Sequence, residues 1–296
     1  MLANSNNIAS FIFKDYFFSL TTGEFCFSYA FLDNDDKEIY KFTEKLSINF
    51  SGNQEKASYV NNSNLQKSLK YLSLTLGISY YKAFGIKKIL ANSINSEESH
   101  FFNNLYQNGL SEYAFINKLD DYTKINFDVN NSVKNLPSCL EGDDKIIVPI
   151  GGGKDSLLTI LLLKEKFSNI HLFALARPNQ ENFYKEFAKK LDLPIIILTR
   201  HIDPLIIELN KQGAYNGHVP FSAILAFTLT AIAPIFNFNT AILSNEHSAS
   251  NENLIWNSNL INHQYSKSFD FEKKFSQFIK TNLFSTFEYF SFLRPF

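Results

Sequence analysis

Residues 145–156, Lys-Ile-Ile-Val-Pro-Ile-Gly-Gly-Gly-Lys-Asp-Ser, gather residue types suited to holding phosphate. Gly151, Gly152 and Gly153 carry no Cβ, so their backbone N–H groups can come close to an anion. Lys154 adds a point charge and Ser156 a hydroxyl. This chemistry needs a particular frame. The apolar run 146–150 reads as a short buried strand, and from Asp155 the pattern turns helical through Leu157, Leu158, Ile160, Leu161, Leu162 and Leu163. A helix starting there leaves unpaired N–H donors and a partial positive charge facing the glycine turn. The spacing is not Walker A, which sets four residues between its first glycine and Gly-Lys-Ser/Thr. A glycine-rich turn that binds nothing is the plainer alternative.

The elements that must position this turn follow from the pattern around it. After it, 170–176 reads as a strand, 182–191 as a helix and 194–199 as another buried strand. Asp203-Pro204 starts a helix, 221–236 is a buried helix, and 240–244 a further strand. Strands alternating with helices predict a parallel sheet covered on both faces, with ligands at the carboxyl ends of its strands. Three segments would meet there: the loop after Ile150, Arg200-His201, and Asn245-Glu246-His247. Upstream, 11–50 is rich in strand signals, 61–76 and 97–117 have helical spacing, the latter interrupted at Asn108-Gly109, and 86–89 reads as a short strand. Residues 120–140 are polar and weakly patterned and are read as a linker. The expectation is an α/β protein: a smaller α+β N-terminal domain, 1–142, followed by an α/β domain, 143–296, with helices on both faces of a parallel sheet.

At 296 residues, 45% of them hydrophobic and 19% charged, the chain can bury a sizeable core. A net charge of −1 gives no electrostatic reason to expect a nucleic-acid partner. The 31 phenylalanines, with abundant Asn, Ile and Lys, are read as genome composition and carry no functional reading. Residues 1–20 lack the basic start of a secretory signal, and the apolar run 223–236 is too short to cross a bilayer. Cys26 and Cys139 suggest neither a zinc site nor a disulfide framework, so a cytoplasmic protein without a membrane partner is expected.

Gly-Gly-Gly-Lys-Asp-Ser resembles the PP-loop of ATP pyrophosphatases, usually written Ser-Gly-Gly-x-Asp-Ser, with Gly151 in place of the first serine. Three more stretches are too polar and specific for routine connectors: 213–220 (Gly-Ala-Tyr-Asn-Gly-His-Val-Pro), 243–250 (Leu-Ser-Asn-Glu-His-Ser-Ala-Ser) and 261–268 (Ile-Asn-His-Gln-Tyr-Ser-Lys-Ser). With the glycine loop, 77–82 (Gly-Ile-Ser-Tyr-Tyr-Lys) and 105–114 (Leu-Tyr-Gln-Asn-Gly-Leu-Ser-Glu-Tyr-Ala), they resemble the UDP-N-acetylmuramoyl-L-alanyl-L-glutamate epimerase family, MurL. The resemblance runs from about Ser10 to the last residue. It implies a PP-loop nucleotide domain after a family-specific N-terminal domain. The implied activity inverts the terminal L-glutamate of UDP-MurNAc-L-Ala-L-Glu with ATP and Mg²⁺, in peptidoglycan precursor synthesis.

By that resemblance Gly151, Gly152, Gly153, Lys154, Asp155 and Ser156 bind the nucleotide, and Asp155 either caps the helix or helps hold Mg²⁺. His218, Glu246, His247 and His263 are the candidate acids and bases, each histidine alternatively a hydrogen-bonded loop residue. Arg200 and Lys267 bind substrate carboxylate or diphosphate, or are ordinary surface charges; Asn245 and Asn262 orient substrate amides or close their loops. Glu112 and Tyr113 could enter the site from the first domain, whereas Tyr80 and Tyr81 are read as core. Family members are expected to continue beyond the segment matching Leu293-Arg294-Pro295, so a shortened product is expected here. Two other readings stay open: a different PP-loop adenylating enzyme, an amidotransferase or tRNA thiolase, and a non-catalytic nucleotide-binding homologue.

Overall fold

The structure is a computed structural model that describes residues 7–48, 63–134, 136–251, 254–256 and 259–295. The aromatic and β-branched runs near the N-terminus pair as an antiparallel meander of β1 (Ser10–Ser19), β2 (Glu24–Leu32) and β3 (Glu38–Ile48). Side chains that alternate along a strand share a face, and here one face carries Phe11, Phe13, Tyr29 and Phe31 into the core. Against it pack α1 (Ser63–Leu76) and α2 (Ile78–Tyr81). Gly77 sits between them because a Cβ there would lie 2.4 Å from the Phe13 ring. Tyr80 and Tyr81 are buried as expected.

β4 (Lys88–Leu90) follows, then α3 (Ser96–Gly109) and α4 (Ser111–Asn117). The helical spacing at 97–117 is thus two helices broken at Gly109-Leu110. α3 starts with a reciprocal cap, in which Glu98 N–H donates to Asn95 Oδ1 and Asn95 N–H to Glu98 Oε2. The stretch expected to be a linker contributes a two-residue strand, β5 (Asn126–Phe127), which pairs with β4 and buries Phe127. Two residues are too few for a period-2 signal, so pattern reading passes over them.

The second half alternates as its sequence predicts: β6 (Ile146–Pro149), α5 (Lys154–Lys164), β7 (Ile170–Ala176), α6 (Glu181–Leu191), β8 (Ile195–His201), α7 (Leu205–Lys211), α8 (Phe221–Phe236) and β9 (Thr240–Leu243). A hairpin of β10 (Leu254–Trp256) and β11 (Asn259–Ile261) comes next, then α9 (Phe269–Asn282) and β12 (Glu288–Ser291). The sequence reading assigned neither α9 nor β12. Ser268, which caps α9, and the spacing of Phe271, Phe275, Phe278 and Ile279 are signals that would have found the helix.

Among the described residues ten strands form one mixed sheet in the order β12-β9-β6-β7-β8-β3-β2-β1-β4-β5. The run β12-β9-β6-β7-β8 is parallel. Counted along the chain it has the doubly wound order, with strand direction of travel reversing between β6 and β9. Its residues alternate between two cores: Ile146 and Val148 meet α5 and α6, while Ile147 enters the larger core containing α8 and α9. The expected boundary at 142/143 falls between β5 and β6. The sheet continues across the two halves through antiparallel β3 and β8, which sets Leu46 opposite Arg200 and Lys45 opposite His201.

Candidate active site

The glycine turn leaves β6 at the strand-order reversal, where open parallel sheets receive their ligands. Gly152 has φ +82°, a conformation that favours glycine, and a Cβ there would press on the Phe183 ring at 2.9 Å. A Cβ on Gly151 or Gly153 would meet nothing within 4 Å, so protein packing alone does not require glycine at either place. Gly153 is the N-cap of α5 and supplies no side-chain cap. The first N–H groups of the helix therefore have no side-chain acceptor, which is the arrangement that receives phosphate. Ser156 is buried behind the turn and donates to the Gly153 carbonyl at 2.9 Å. Asp155 makes no capping bond; its carboxylate lines the cavity in front of the loop. Lys154 is exposed and, with Gly152, stands outside that lining.

The cavity has a volume of about 1130 Å³ and opens along the carboxyl ends of the parallel strands. Gly151, Arg177, Arg200 and Asn245 line it, coming after or at the ends of β6, β7, β8 and β9. Arg177, after β7, was missed by sequence reading; the expected ring of loops had omitted that strand. Arg200 is only 8% exposed, so it is no ordinary surface charge. Its Nε donates to Glu44 Oε1 and its Nη2 to Ser79 Oγ at 2.8 Å. The β3–β8 pairing brings that carboxylate to the arginine.

The far end of the cavity is assembled from distant segments. Lys82 lines it at the end of α2, and Lys267 after a short turn that precedes α9. The His218 and His263 rings lie edge to face with centroids 6.2 Å apart; neither is a lining residue, but Val219, next to His218, is. Burial holds the His218 imidazole below its ordinary pKa; Glu112 opposes this, and His263, Lys267 and Lys82 add to it. Two of the four candidate acid–base residues, with Glu112 from α4, thus share one electrostatic neighbourhood. Burial, and next the charge of Arg200, pushes the Lys82 ammonium down to about 8. Sequence reading quoted the stretch ending at Lys82 without singling out its amine.

Glu246 and His247 are exposed and outside the cavity lining, where Glu246 accepts from Ser248 Oγ at 3.0 Å. Asn262 closes its own turn, accepting from Gln264 N–H at 2.7 Å, and is not a lining residue. Asn245 lines the cavity and donates to Ser291 Oγ at 3.0 Å. Behind it, Arg294 donates to Glu272 at 2.9 Å, to the Lys267 carbonyl at 2.8 Å and to the Glu246 carbonyl at 3.2 Å. Ser291 Oγ donates to the same Glu272 carboxylate. One guanidinium therefore ties together the loop after β9 and the turn bearing Lys267.

A nucleoside triphosphate fits the loop: uncapped helix donors, open space before two glycines, and a hydroxyl and a carboxylate beside them. Among the described residues no group of three or more His, Cys, Asp or Glu could cage a metal ion. A lone Asp155 suits magnesium, which usually takes one or two carboxylates together with phosphate oxygens and water. Among the described residues no helix is long and apolar enough to cross a membrane.

Compared with known proteins, residues 3–292 match the model of the family described as MurL N-terminal domain. The chain is similar to three proteins named UDP-N-acetyl-alpha-D-muramoyl-L-alanyl-L-glutamate epimerase. That of Xanthomonas oryzae pv. oryzae is 32% identical over 78% of this chain and 51% of its own length. That of a Micromonospora strain is 30% identical over 96% of this chain and 63% of its own. That of Salinispora tropica is 30% identical over 96% and 61%. The chain thus spans between about half and under two thirds of these relatives. No solved structure matches it significantly.

Proposed function

The chain belongs to the MurL N-terminal domain family, and from that premise we propose that it acts as an epimerase in peptidoglycan precursor synthesis. The substrate in this reading is UDP-MurNAc-L-Ala-L-Glu, whose terminal glutamate is inverted to the D form at the expense of ATP. The observation that carries the reading is the meeting, on one cavity, of an uncapped glycine-loop helix with Lys82 and Lys267, whose charges act on the neighbouring His218–His263 pair. The first can hold phosphates and the second can move protons.

Chemistry explains why one site needs both. The Cα–H beside a carboxylate is a very weak acid, since its removal sets a second negative charge next to the first. Adenylating the α-carboxylate removes that charge, and the enolate becomes accessible. In this reading the backbone N–H groups at Gly151, Gly152 and Gly153 and the start of α5 receive the phosphates, helped by Ser156 and Lys154. Asp155 would help hold the magnesium ion that accompanies the nucleotide, and that ion would spread phosphate charge. Arg200, already aligned by Glu44 and Ser79, and Lys267 meet substrate anions. A group on one face of Cα removes the proton and a group on the other returns one, and His218 and His263 are the candidates for this work. Glu246 and His247 enter the scheme only if their loop turns inward. A PP-loop fold, ATP and Mg²⁺ dependence, and a cytoplasmic setting belong to the same proposal, as does the absence of a nucleic-acid or membrane partner.

The test is incubation of the chain with UDP-MurNAc-L-Ala-L-Glu, ATP and Mg²⁺ in D₂O. AMP release, deuterium at Cα and glutamate chirality after hydrolysis are followed together. D-glutamate carrying deuterium, formed only with ATP, is expected. AMP without deuterium would assign a different adenylation reaction.

A further inference from the structure

Three of the stretches singled out by sequence, 77–82, 105–114 and 213–220, have no part in holding phosphate, yet the structure brings them to one amine. Lys82 Nζ donates to Asn216 Oδ1 at 2.6 Å and to the Gly217 carbonyl at 3.0 Å. Its own backbone carbonyl accepts from the Tyr113 hydroxyl at 2.6 Å. Tyr113 in turn packs on Gly217, where a Cβ would lie 3.2 Å from its ring. Asn117 Nδ2 donates to the Asn216 carbonyl, and Tyr215 N–H to the Ala83 carbonyl, at 2.9 and 3.0 Å. α2, α4 and the 213–220 loop thus form a brace whose centre is the lysine stem.

The brace is unusual for a cation. Among the described residues Lys82 forms no ion pair with a carboxylate; both its acceptors are neutral, and its charged neighbour is Arg200. A half-buried ammonium beside a guanidinium with no counter-ion is a poor structural choice, and such arrangements concentrate at functional sites. As a neutral amine the group suits its surroundings better. Its two N–H bonds serve the two acceptors, which leaves the lone pair on another side of the nitrogen. Lys82 lines the same cavity as Gly151, Gly153 and Asp155.

We propose that Lys82 is one of the two proton-transfer groups at the substrate Cα, a role that rests on the epimerase reading above. Its neutral amine takes the proton from one face of the adenylated glutamate. The C–H bond breaks, an N–H bond forms, and the electron pair passes into the acyl group as an enolate. A proton from a second group on the other face forms the new C–H bond as the pair returns to Cα. In the reverse direction the Lys82 ammonium is the acid. The lowered basicity of Lys82 agrees with this role, since it keeps part of the amine neutral near pH 7.

The experiment follows Cα hydrogen exchange in D₂O, with ATP and Mg²⁺, from the L-Glu and D-Glu forms of the UDP-muramoyl dipeptide separately. Wild type, Lys82→Gln and Lys82→Arg are compared, with AMP release measured in parallel. Lys82→Gln keeps a hydrogen-bonding side chain, and Lys82→Arg keeps the charge without a usable base. Both variants are expected to lose exchange from one epimer by about 100-fold or more, a usual size for general acid–base catalysis. Exchange from the other epimer and AMP release should stay within about threefold, well inside that loss. Equal losses from both epimers, loss of AMP release in step, or full rescue by arginine would overturn the role and leave Lys82 a binding cation. A wild-type chain that releases no AMP and exchanges no deuterium with either epimer would overturn the epimerase reading itself, and the role with it.

Discussion

In one part of the cavity wall, residues 150–156 lie consecutively between one strand and one helix; elsewhere Lys82 and Lys267 line it with Glu112, His218 and His263 as neighbours, five residues from four segments. The glycine loop owes its geometry to local rules: glycine at a positive φ, a helix start without a side-chain cap, a strand at a sheet reversal. The lysine–histidine end owes its geometry to the whole fold. Lys82 stands where it does because Gly77 lets α2 close on Phe13 and because β3 joins the halves at β8. Substitutions in the two places should therefore fail differently: function alone at the first, and at the second function together with stability wherever a tether between its segments is lost.

The largest expected effect belongs to the loop. A Gly153→Ala, Lys154→Ala pair puts a methyl group into space that the protein leaves open and removes the loop cation. AMP formation should drop by about 100-fold or more, as when a positioning element is displaced. Tm should fall by no more than about 4 °C, because Gly153 has φ −88° and alanine at an N-cap costs about 1 kcal/mol. Unchanged ATP turnover in this pair would remove the loop from the site. A large fall in Tm would erase the contrast with the far end.

The second effect tests a tether rather than a contact with substrate. Arg294→Ala leaves Glu272 buried without its guanidinium and frees two carbonyls, one in each of two site loops. Loss of one partner of a buried pair costs about 3 kcal/mol. Turnover should fall by about tenfold to hundredfold through misplaced loops. Differential scanning calorimetry and steady-state kinetics together check this. A loss of rate without a loss of stability would place Arg294 in direct contact with substrate instead.

The same contrast explains what the sequence made legible. The β6–α5 turn, the alternation of β7 to β9 and the all-apolar α8 depend on neighbours within a few residues, and pattern reading recovers them. The linker reading at 120–140 passed over β5, because a two-residue strand is set by its partner β4 and by the burial of Phe127. α9 and β12 lay beyond polar motifs that drew the reading toward chemistry. At the site, the histidine-bearing stretches were visible by composition. That His218 and His263 meet depends on how their two loops close over the sheet. Lys82 was the least visible, since an unpaired cation is defined by what fails to surround it.

The smallest effect is the most specific to that cation. The unfolded chain keeps Lys82 near its ordinary 10.5, and the folded protein lowers it to about 8. Between those two values the unfolded state binds more protons than the native state, so this group makes stability rise with pH across that window. Below about pH 8 the ammonium is present in both states, and the fold bears the cost of burying it beside Arg200. Lys82→Gln removes that cost while offering Asn216 and Gly217 an amide donor. At pH 7 the variant should match or exceed wild type in Tm, and the gap should close as pH rises from 8 towards 10.5. The groups around Lys82, among them Arg200, Tyr113 and His218, remain in both proteins, so the difference between them isolates the one amine. A gap independent of pH would mean that the amine is solvated and not strained. A variant that is as stable as wild type yet exchanges the proton of only one epimer would mean that the fold carries this cation for chemistry and not for structure.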